Sequence, residues 1–177
     1  GGWWLDREAW HKQGWILRQT GRSPTDFVDQ AGMGPSLLNM GLTGALGTAY
    51  VLAVGSDLNG PTLGAIFTIV GFSAFGKHPR NIVPIMLGVF IASMLKDWSA
   101  DDPSAVLAAL FGTTLAPIAG RFGWRWGIVA GFVHSSVAQT VGQLHGGLVL
   151  YNNGFAAGLV AAILVPVIIA LQPVAKP

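Results

Sequence analysis

The sequence contains no cysteine, and charged residues are scarce in it. Without cysteine the chain can form no disulfide framework and can carry out no thiolate chemistry. Charged residues make up 10% of the 177 positions, whereas about 25% are charged in an ordinary soluble domain. The net charge is only +2 and the basic residues are scattered, so a nucleic-acid partner is not expected. These absences disfavour a water-soluble fold.

Apolar residues and glycine dominate the chain instead. Hydrophobic residues account for 51% of it, the mean hydropathy is +0.54, and there are 25 glycines. Disordered chains are poor in apolar residues and rich in charge, so this composition is typical of a membrane protein that crosses the bilayer several times. The N-terminal residues lack the uninterrupted apolar region of a cleavable signal peptide, so insertion is expected to depend on internal segments.

Six segments lack Asp, Glu, Lys and Arg, each of which costs about 2.5 to 3.5 kcal/mol at the centre of a membrane helix. They cover residues 36–54, 61–76, 81–95, 103–120, 126–143 and 154–172. The second and third are shorter than the roughly 20 residues of a perpendicular crossing, so they are either tilted spans or half-helices of a re-entrant hairpin. The sequence therefore predicts an all-α polytopic bundle of about six membrane segments over residues 36–177. Residues 1–35 are expected to form a cytoplasmic or interfacial segment.

The basic residues favour six crossings with both termini in the cytoplasm, because cytoplasmic loops carry an excess of Lys and Arg. With this topology all basic residues except Lys96 fall on one side. They are Arg7, Lys12, Arg18, Arg22, Lys77, Arg80, Arg121, Arg125 and Lys176. The opposite loops are acidic, with Asp57, Asp97, Asp101 and Asp102. The tryptophans, including Trp3 and Trp4, lie outside the segments or at their ends, where an aromatic belt is expected.

A stripe of polar side chains interrupts the fifth apolar segment. These residues fall within an arc of about 140° on a helix of 3.6 residues per turn. They are Ser135, Ser136, Gln139, Thr140 and Gln143. Such a stripe either bonds across helices or lines a hydrated path for a solute. Asn39 and Thr43 of the first segment are expected to face it and to share that path.

Two Asn-Gly pairs, Asn59–Gly60 and Asn153–Gly154, precede apolar segments with the similar sequences NGPTLGAIFTIV and NGFAAGLVAAIL. We expect Asn59 and Asn153 to cap helices, and the match is consistent with an internal repeat of two hairpins, residues 36–76 and 126–172. In transporters, helix starts can instead hold a substrate. Asn59, Gly60, Asn152, Asn153 and Gly154 are therefore added to the candidate solute pathway.

A basic cluster of Lys77, His78 and Arg80 lies between the second and third segments. It is expected to anchor the chain at the inner membrane surface beside anionic headgroups, or else to recruit an anionic solute. His134 lies nearly opposite the polar stripe and is expected to be a satisfied packing residue. No histidines and carboxylates have metal-ligand spacing, and no catalytic motif is present. We therefore expect no metal, no cofactor and no enzymatic activity.

Glycines recur at close spacing in the first and fifth segments, at Gly41, Gly44 and Gly47 and at Gly127 and Gly131. Helices in lipid pack through small residues that allow close backbone approach. The glycines therefore predict tight packing between helices, with contact between a solute and bare backbone as the alternative.

Four stretches of the chain carry a family resemblance: NMGLTG at 39–44, GSDLNGPTLGAIFTIVGFSAFGKHPRNIVPIMLGV at 55–89, LAALFGTTLAPIAGRFGWRWGIVAGFVH at 107–134 and LHGGLVLYNNGFAAGLVAAILVP at 144–166. Through them the chain resembles, from residue 25 onward, a bacterial family of multi-span membrane proteins known as domain of unknown function 1576. It implies an integral protein of the bacterial inner membrane, similar to the C-terminal half of longer family members, and it implies no substrate.

Two functions are consistent with these observations. The first is a channel or secondary transporter for a small polar solute or ion. The alternative is a non-transporting structural or assembly subunit of a membrane complex. The expected partners are the lipid bilayer, the solute, and either further copies of the chain or other membrane subunits.

Overall fold

The computed structural model describes residues 9–146 and 151–172, and the secondary structure in those ranges is helical. Its helices are α1 (Ala9–Ile16), α2 (Phe27–Ala31), α3 (Met33–Ala53), α4 (Gly60–Phe72), α5 (Pro79–Leu95), α6 (Pro103–Gly112), α7 (Ala116–Phe122), α8 (Trp124–Leu144) and α9 (Asn152–Leu171). A 3₁₀ turn, Thr113–Leu115, joins α6 to α7. The predicted all-α bundle is confirmed, and each of the six predicted segments is helical. Trp3, Trp4, Arg7 and Lys176 lie outside the described residues.

Three helical stretches are long and apolar enough to cross a membrane. They are Met33–Ala53, Pro103–Phe122 and Asn152–Leu171. Helices α4 and α5 are apolar but shorter, with 13 and 17 residues. Helix α8 has 21 residues, but its polar stripe lowers its hydropathy. The apolar helices are typical of a membrane protein, and the number of crossings stays a prediction.

The outside of the bundle is apolar. Phe67 on α4 and Ile163 on α9 are 69% and 68% exposed, and many other large apolar side chains are exposed with them. Soluble monomers rarely expose continuous apolar surface on this scale, because contact with water is unfavourable. Lipid is the solvent that fits this surface.

Helices α5 and α8 form the tightest pair in the bundle. A Cβ atom at Gly88 would lie 2.1 Å from the carbonyl oxygen of Ile128, and one at Gly131 would lie 2.0 Å from that of Ile85. Neither position can carry a side chain at this helix separation. Gly127, one turn earlier, packs against α5 and α7. The close packing predicted from Gly127 and Gly131 is therefore present.

The three glycines of α3 do not share one role. Gly44 faces Val70 of α4, and Gly47 faces Ile66 of the same helix. A Cβ atom at Gly41 would meet no described atom within 4 Å outside its own helix. The prediction of close packing therefore holds for two of the three.

Residues 17–26 cross one end of the bundle, and the flanking helices α1 and α2 pack on α3. The backbone N–H of Phe27 donates to the carbonyl of Ala74 at 2.8 Å. A Cβ atom at Gly120 in α7 would lie 2.2 Å from the carbonyl oxygen of Thr20. The N-terminal segment thus packs against the helices themselves. We call this the basic end, because the crossing segment, the α4–α5 loop and the adjoining helix ends carry Arg18, Arg22, Lys77, Arg80, Arg121 and Arg125.

Candidate functional site

A buried amide lies at the centre of a polar network at the basic end. The side chain of Asn39 is fully buried, and its Oδ1 accepts a hydrogen bond from Gln13 Nε2 at 3.1 Å. Its Nδ2 donates to the carbonyls of Ser73 and Lys77, at 2.7 and 2.8 Å. One turn later, Thr43 donates to the Ser73 hydroxyl at 2.8 Å. Asn39 and Thr43 therefore bind the loop between α4 and α5, and the prediction that they face the α8 stripe is wrong.

Lys77 lies in that loop, and its side chain runs into the bundle. It is only 7% exposed, and its Nζ donates to Thr113 Oγ1 at 2.8 Å. The Phe72 ring lies 5.2 Å from the same nitrogen. No carboxylate in the described part of the chain pairs with this ammonium. Lys77 is therefore buried whereas Arg80 is exposed, and the position of the cluster at the inner membrane surface stays a prediction.

The hydroxyl group that Lys77 contacts belongs to Thr113, which lies where an apolar helical stretch is interrupted. Thr113 begins the 3₁₀ turn that interrupts the 20 residues from Pro103 to Phe122. Its hydroxyl donates to the carbonyl of Leu110 at 2.6 Å, so its lone pairs are available to the ammonium. Short 3₁₀ segments inside helices often mark functional sites or hinges. The structure therefore brings a buried cation to the middle of a candidate span.

A cavity of about 230 Å³, which we call the basic pocket, opens beside this network. Its polar lining consists of Arg18, Gln19, His78, Arg80, Asn81 and Trp124. No acidic side chain from residues 9–146 or 151–172 lines it. Residues 17–19 supply one wall and α7 supplies another, so the pocket exists only because the N-terminal segment crosses the bundle.

Two buried side chains fix the floor of the basic pocket. His78 donates through Nε2 to the carbonyl of Gln19 at 2.9 Å, and its backbone N–H donates to Asn81 Oδ1 at 2.9 Å. The Asn81 amide donates in turn to the carbonyl of Gly76 at 2.9 Å. Burial lowers the pKa of His78, the bond to Gln19 opposes this, and Arg80 lowers it further. The histidine therefore ties the N-terminal segment to the start of α5.

The stripe on α8 does not form one continuous polar surface. Ser135 is fully buried, and neither its hydroxyl nor Gln139 Nε2 has a hydrogen-bond partner among the residues that the structure describes. Ser136 accepts a hydrogen bond from Lys96, which reaches across from the end of α5. Thr140 and Gln143 are exposed. The stripe thus contains a buried part beside other helices and an exposed part on the outside of the bundle.

The side chain of His134 packs inside the bundle as predicted, but its ring nitrogens lack hydrogen-bond partners among the described residues. Its side chain is fully buried, and a Cβ atom at Gly112 would lie 2.7 Å from ring atom Cδ2. The Asn153 side chain and the Ala108 backbone lie beside the ring, yet neither ring nitrogen makes a hydrogen bond of normal geometry within the described ranges. The expectation of a hydrogen-bonded histidine is therefore wrong.

The two Asn-Gly pairs differ in structure. Asn59 caps α4 as predicted, because its Oδ1 accepts from the N–H of Thr62 at 3.1 Å and the Thr62 hydroxyl accepts from the N–H of Asn59 at 2.8 Å. Gly60 follows at the first helical position and faces open space. The cap predicted for Asn153 is wrong, because α9 already begins at Asn152. Helix α4 packs on α3 and α6, whereas α9 packs mainly on α8 and α6.

The motif YNNG at the start of α9 has local packing roles instead. Asn152 Oδ1 lies 2.8 Å from His145 Nε2. A Cβ atom at Gly154 would lie 2.3 Å from the Tyr151 ring, which packs edge-on against Phe111 at a centroid distance of 5.3 Å. These contacts hold the start of α9 against α6 and the end of α8.

Sequence reasoning missed several residues of the basic end: Gln13, Arg18, Gln19, Ser73, Asn81 and Thr113. Most are single polar residues in loops or helix ends, where polarity is ordinary. The sequence KHPRN did contain one usable signal, since Asn81 lies three residues after His78 as in a capping box. Within the described residues no group of three or more His, Asp or Glu could hold a metal ion.

Comparison with known proteins gives a family and no function. No curated protein and no solved structure matches the chain. The model of the family described as "Protein of unknown function (DUF1576)" matches residues 5–170. The match covers nearly the whole chain, so the expected restriction to the C-terminal half of the family is wrong. This protein belongs to the DUF1576 family.

Proposed function

We propose that this protein is a channel or secondary transporter for a small polar solute, without enzymatic activity. The observation that carries the proposal is Lys77, a buried cation that no described carboxylate pairs with, at the broken span Pro103–Phe122. By the excess of basic residues, the basic end faces the cytoplasm of a bacterial cell.

A cation in this position is unfavourable for packing alone. Burying an ion costs several kcal/mol unless good partners surround it, and one neutral hydroxyl is a weak partner. Ionisable residues within membrane proteins therefore usually serve a solute or ion pathway. The basic pocket adjoins the same loop, because His78 and Lys77 are consecutive. A solute that enters the pocket would next meet the buried ammonium and the α6–α7 break.

Replacing Lys77 with methionine tests the proposal, since methionine keeps most of the side-chain volume and removes the charge. Purified protein in liposomes should accelerate flux of at least one solute from a panel of small anions, amides and polyols. Lys77→Met should lower that flux at least tenfold, because the polar contact inside the bundle is lost.

Lys12→Met is the matched control, because Lys12 lies at the same end, on α1. It should keep wild-type flux. Size-exclusion chromatography and helical circular dichroism show whether each variant is folded. Absence of flux for the whole panel, or equal flux of folded Lys77→Met and wild type, contradicts the proposal.

One observation favours the second candidate, a subunit that assembles with other membrane proteins. Thr140 and Gln143 on α8 are exposed on the outside of an otherwise apolar bundle. Polar side chains in lipid are stabilised by hydrogen bonds across helices, so a second copy of the chain or another subunit would fit this face.

The absence of cysteine makes this alternative easy to test. A single cysteine at Thr140→Cys should give a disulfide-linked dimer in membranes if a second copy covers this face of α8. Ile163→Cys is the control, because Ile163 is an exposed apolar residue of α9. Equal cross-linking at both positions indicates random collision and argues against a specific interface.

A further inference from the structure

We infer that the basic pocket binds a small oxyanion, a phosphate or carboxylate group, between Arg18 and Arg80. Identification of this anion as the transported solute rests on the proposed function, whereas binding in the pocket does not.

The charged side chains that line the basic pocket are both positive. Arg18 comes from the N-terminal segment and Arg80 from the first turn of α5, and both line the same cavity. Guanidinium groups bind carboxylate and phosphate oxygens through two parallel N–H donors. No aspartate or glutamate of the described chain lines the cavity, so an oxyanion would meet no competing carboxylate from these residues.

The backbone adds further donors. Helix α8 begins directly after Gly123 without a side-chain cap, and Gly123 and Trp124 line the pocket. The first N–H groups of a helix have no intrahelical partner, and the helix dipole favours an anion beside them. The start of α5 lies at the same cavity, but Pro79 has no N–H and the N–H of Asn81 donates to the carbonyl of His78 at 3.1 Å, so Arg80, its second residue, supplies the backbone donor there. The first turns of α5 and α8 and the side chains of Arg18 and Arg80 therefore surround the same cavity.

The size of the pocket limits the ligand. At about 230 Å³ it is smaller than the 300 to 1,000 Å³ that is typical of sites for drug-sized molecules. The buried side chains of His78 and Asn81 are already hydrogen-bonded to Gln19 and Gly76, so they shape the floor. The arginines therefore remain as the groups that select the ligand.

Calorimetric titration of the purified protein with inorganic phosphate tests the inference. Phosphate should bind with 1:1 stoichiometry, and tetramethylammonium should not bind. Arg80→Gln and Arg18→Gln should each weaken binding at least tenfold. Arg22→Gln removes the same charge from the same segment but does not line the basic pocket, so it should change affinity less than twofold. Arg80→Lys should show an intermediate loss, since it keeps the charge and loses the paired donors.

Nanodiscs distinguish a free anion from a lipid headgroup. In phosphatidylcholine alone, phosphate should bind as in detergent. If added phosphatidylglycerol competes with phosphate in wild type but not in Arg80→Gln, the headgroup occupies the pocket, which still supports the oxyanion site. No phosphate binding in either membrane, or equal binding by folded Arg80→Gln and Arg22→Gln, overturns the inference. Phosphate binding without solute flux in liposomes would contradict the transport proposal but not this inference. Solute flux without phosphate binding would contradict this inference but not the transport proposal.

Discussion

Alanine at Gly131 is expected to separate α5 from α8 and to destabilise the bundle by about 3 kcal/mol or more, at or beyond the upper range for overpacked cores. The added methyl group would lie 2.0 Å from the carbonyl oxygen of Ile85. Backbone atoms cannot rotate away as a flexible side chain can, so the helices themselves must move. That movement would also separate Gly88 from Ile128, the other close contact of this pair.

Unfolding in mixed micelles with increasing SDS, followed by circular dichroism, would measure this loss. Gly64→Ala is the matched control, because Gly64 also lies within a helix and an added Cβ there would meet no described atom within 4 Å outside that helix. That variant should be as stable as wild type or more stable by up to about 1 kcal/mol, since alanine favours helix more than glycine does. Equal stability of both variants would show that α5 and α8 are not packed as closely as described.

Leucine at Asn39 is expected to destabilise the basic end by at least about 3 kcal/mol, because buried groups left without partners cost about 1 to 3 kcal/mol each. The substitution removes the hydrogen-bond partner of Gln13 Nε2 and of two backbone carbonyls, those of Ser73 and Lys77. It thereby releases the N-terminal segment and the α4–α5 loop together.

Limited trypsin digestion measures this release directly. Cleavage after Arg18 and Arg22 should become at least tenfold faster in Asn39→Leu, because the segment that carries them loses its attachment to α3. Asn153→Leu is the control, since the Oδ1 of Asn153 has no hydrogen-bond partner in the described part of the chain. The same substitution there should leave cleavage unchanged. If Asn39→Leu is digested at the wild-type rate, the polar network does not hold the N-terminal segment in place.

Helix positions were predictable from the sequence because they depend on local composition. The six apolar segments, the cap at Asn59 and the packing glycines Gly127 and Gly131 all follow from patterns within a few turns of chain. The cap at Asn153 was not predictable in the same way. Its sequence matches that of Asn59, which would start the helix at Gly154, yet the helix starts two residues earlier, at Asn152, beside the contact of Tyr151 with Phe111.

The candidate site was only partly predictable. The sequence contained Lys77, His78 and Arg80 as one basic cluster, but it could not show that Lys77 points inward while Arg80 stays exposed. It also could not place Arg18 beside Arg80, since the two are far apart in the chain and only the docking of residues 17–26 joins them.

The sequence by itself determined that this protein is an apolar helical bundle with its basic residues gathered towards one end, because composition and charge spacing are properties of the chain alone. The tertiary structure decided which polar residues meet. Hydrogen bonds and cavities form between residues distant in sequence, so the polar network of Asn39, Lys77 and Thr113 and the neighbouring basic pocket formed only when α3, the α4–α5 loop, the α6–α7 break and the N-terminal segment packed together.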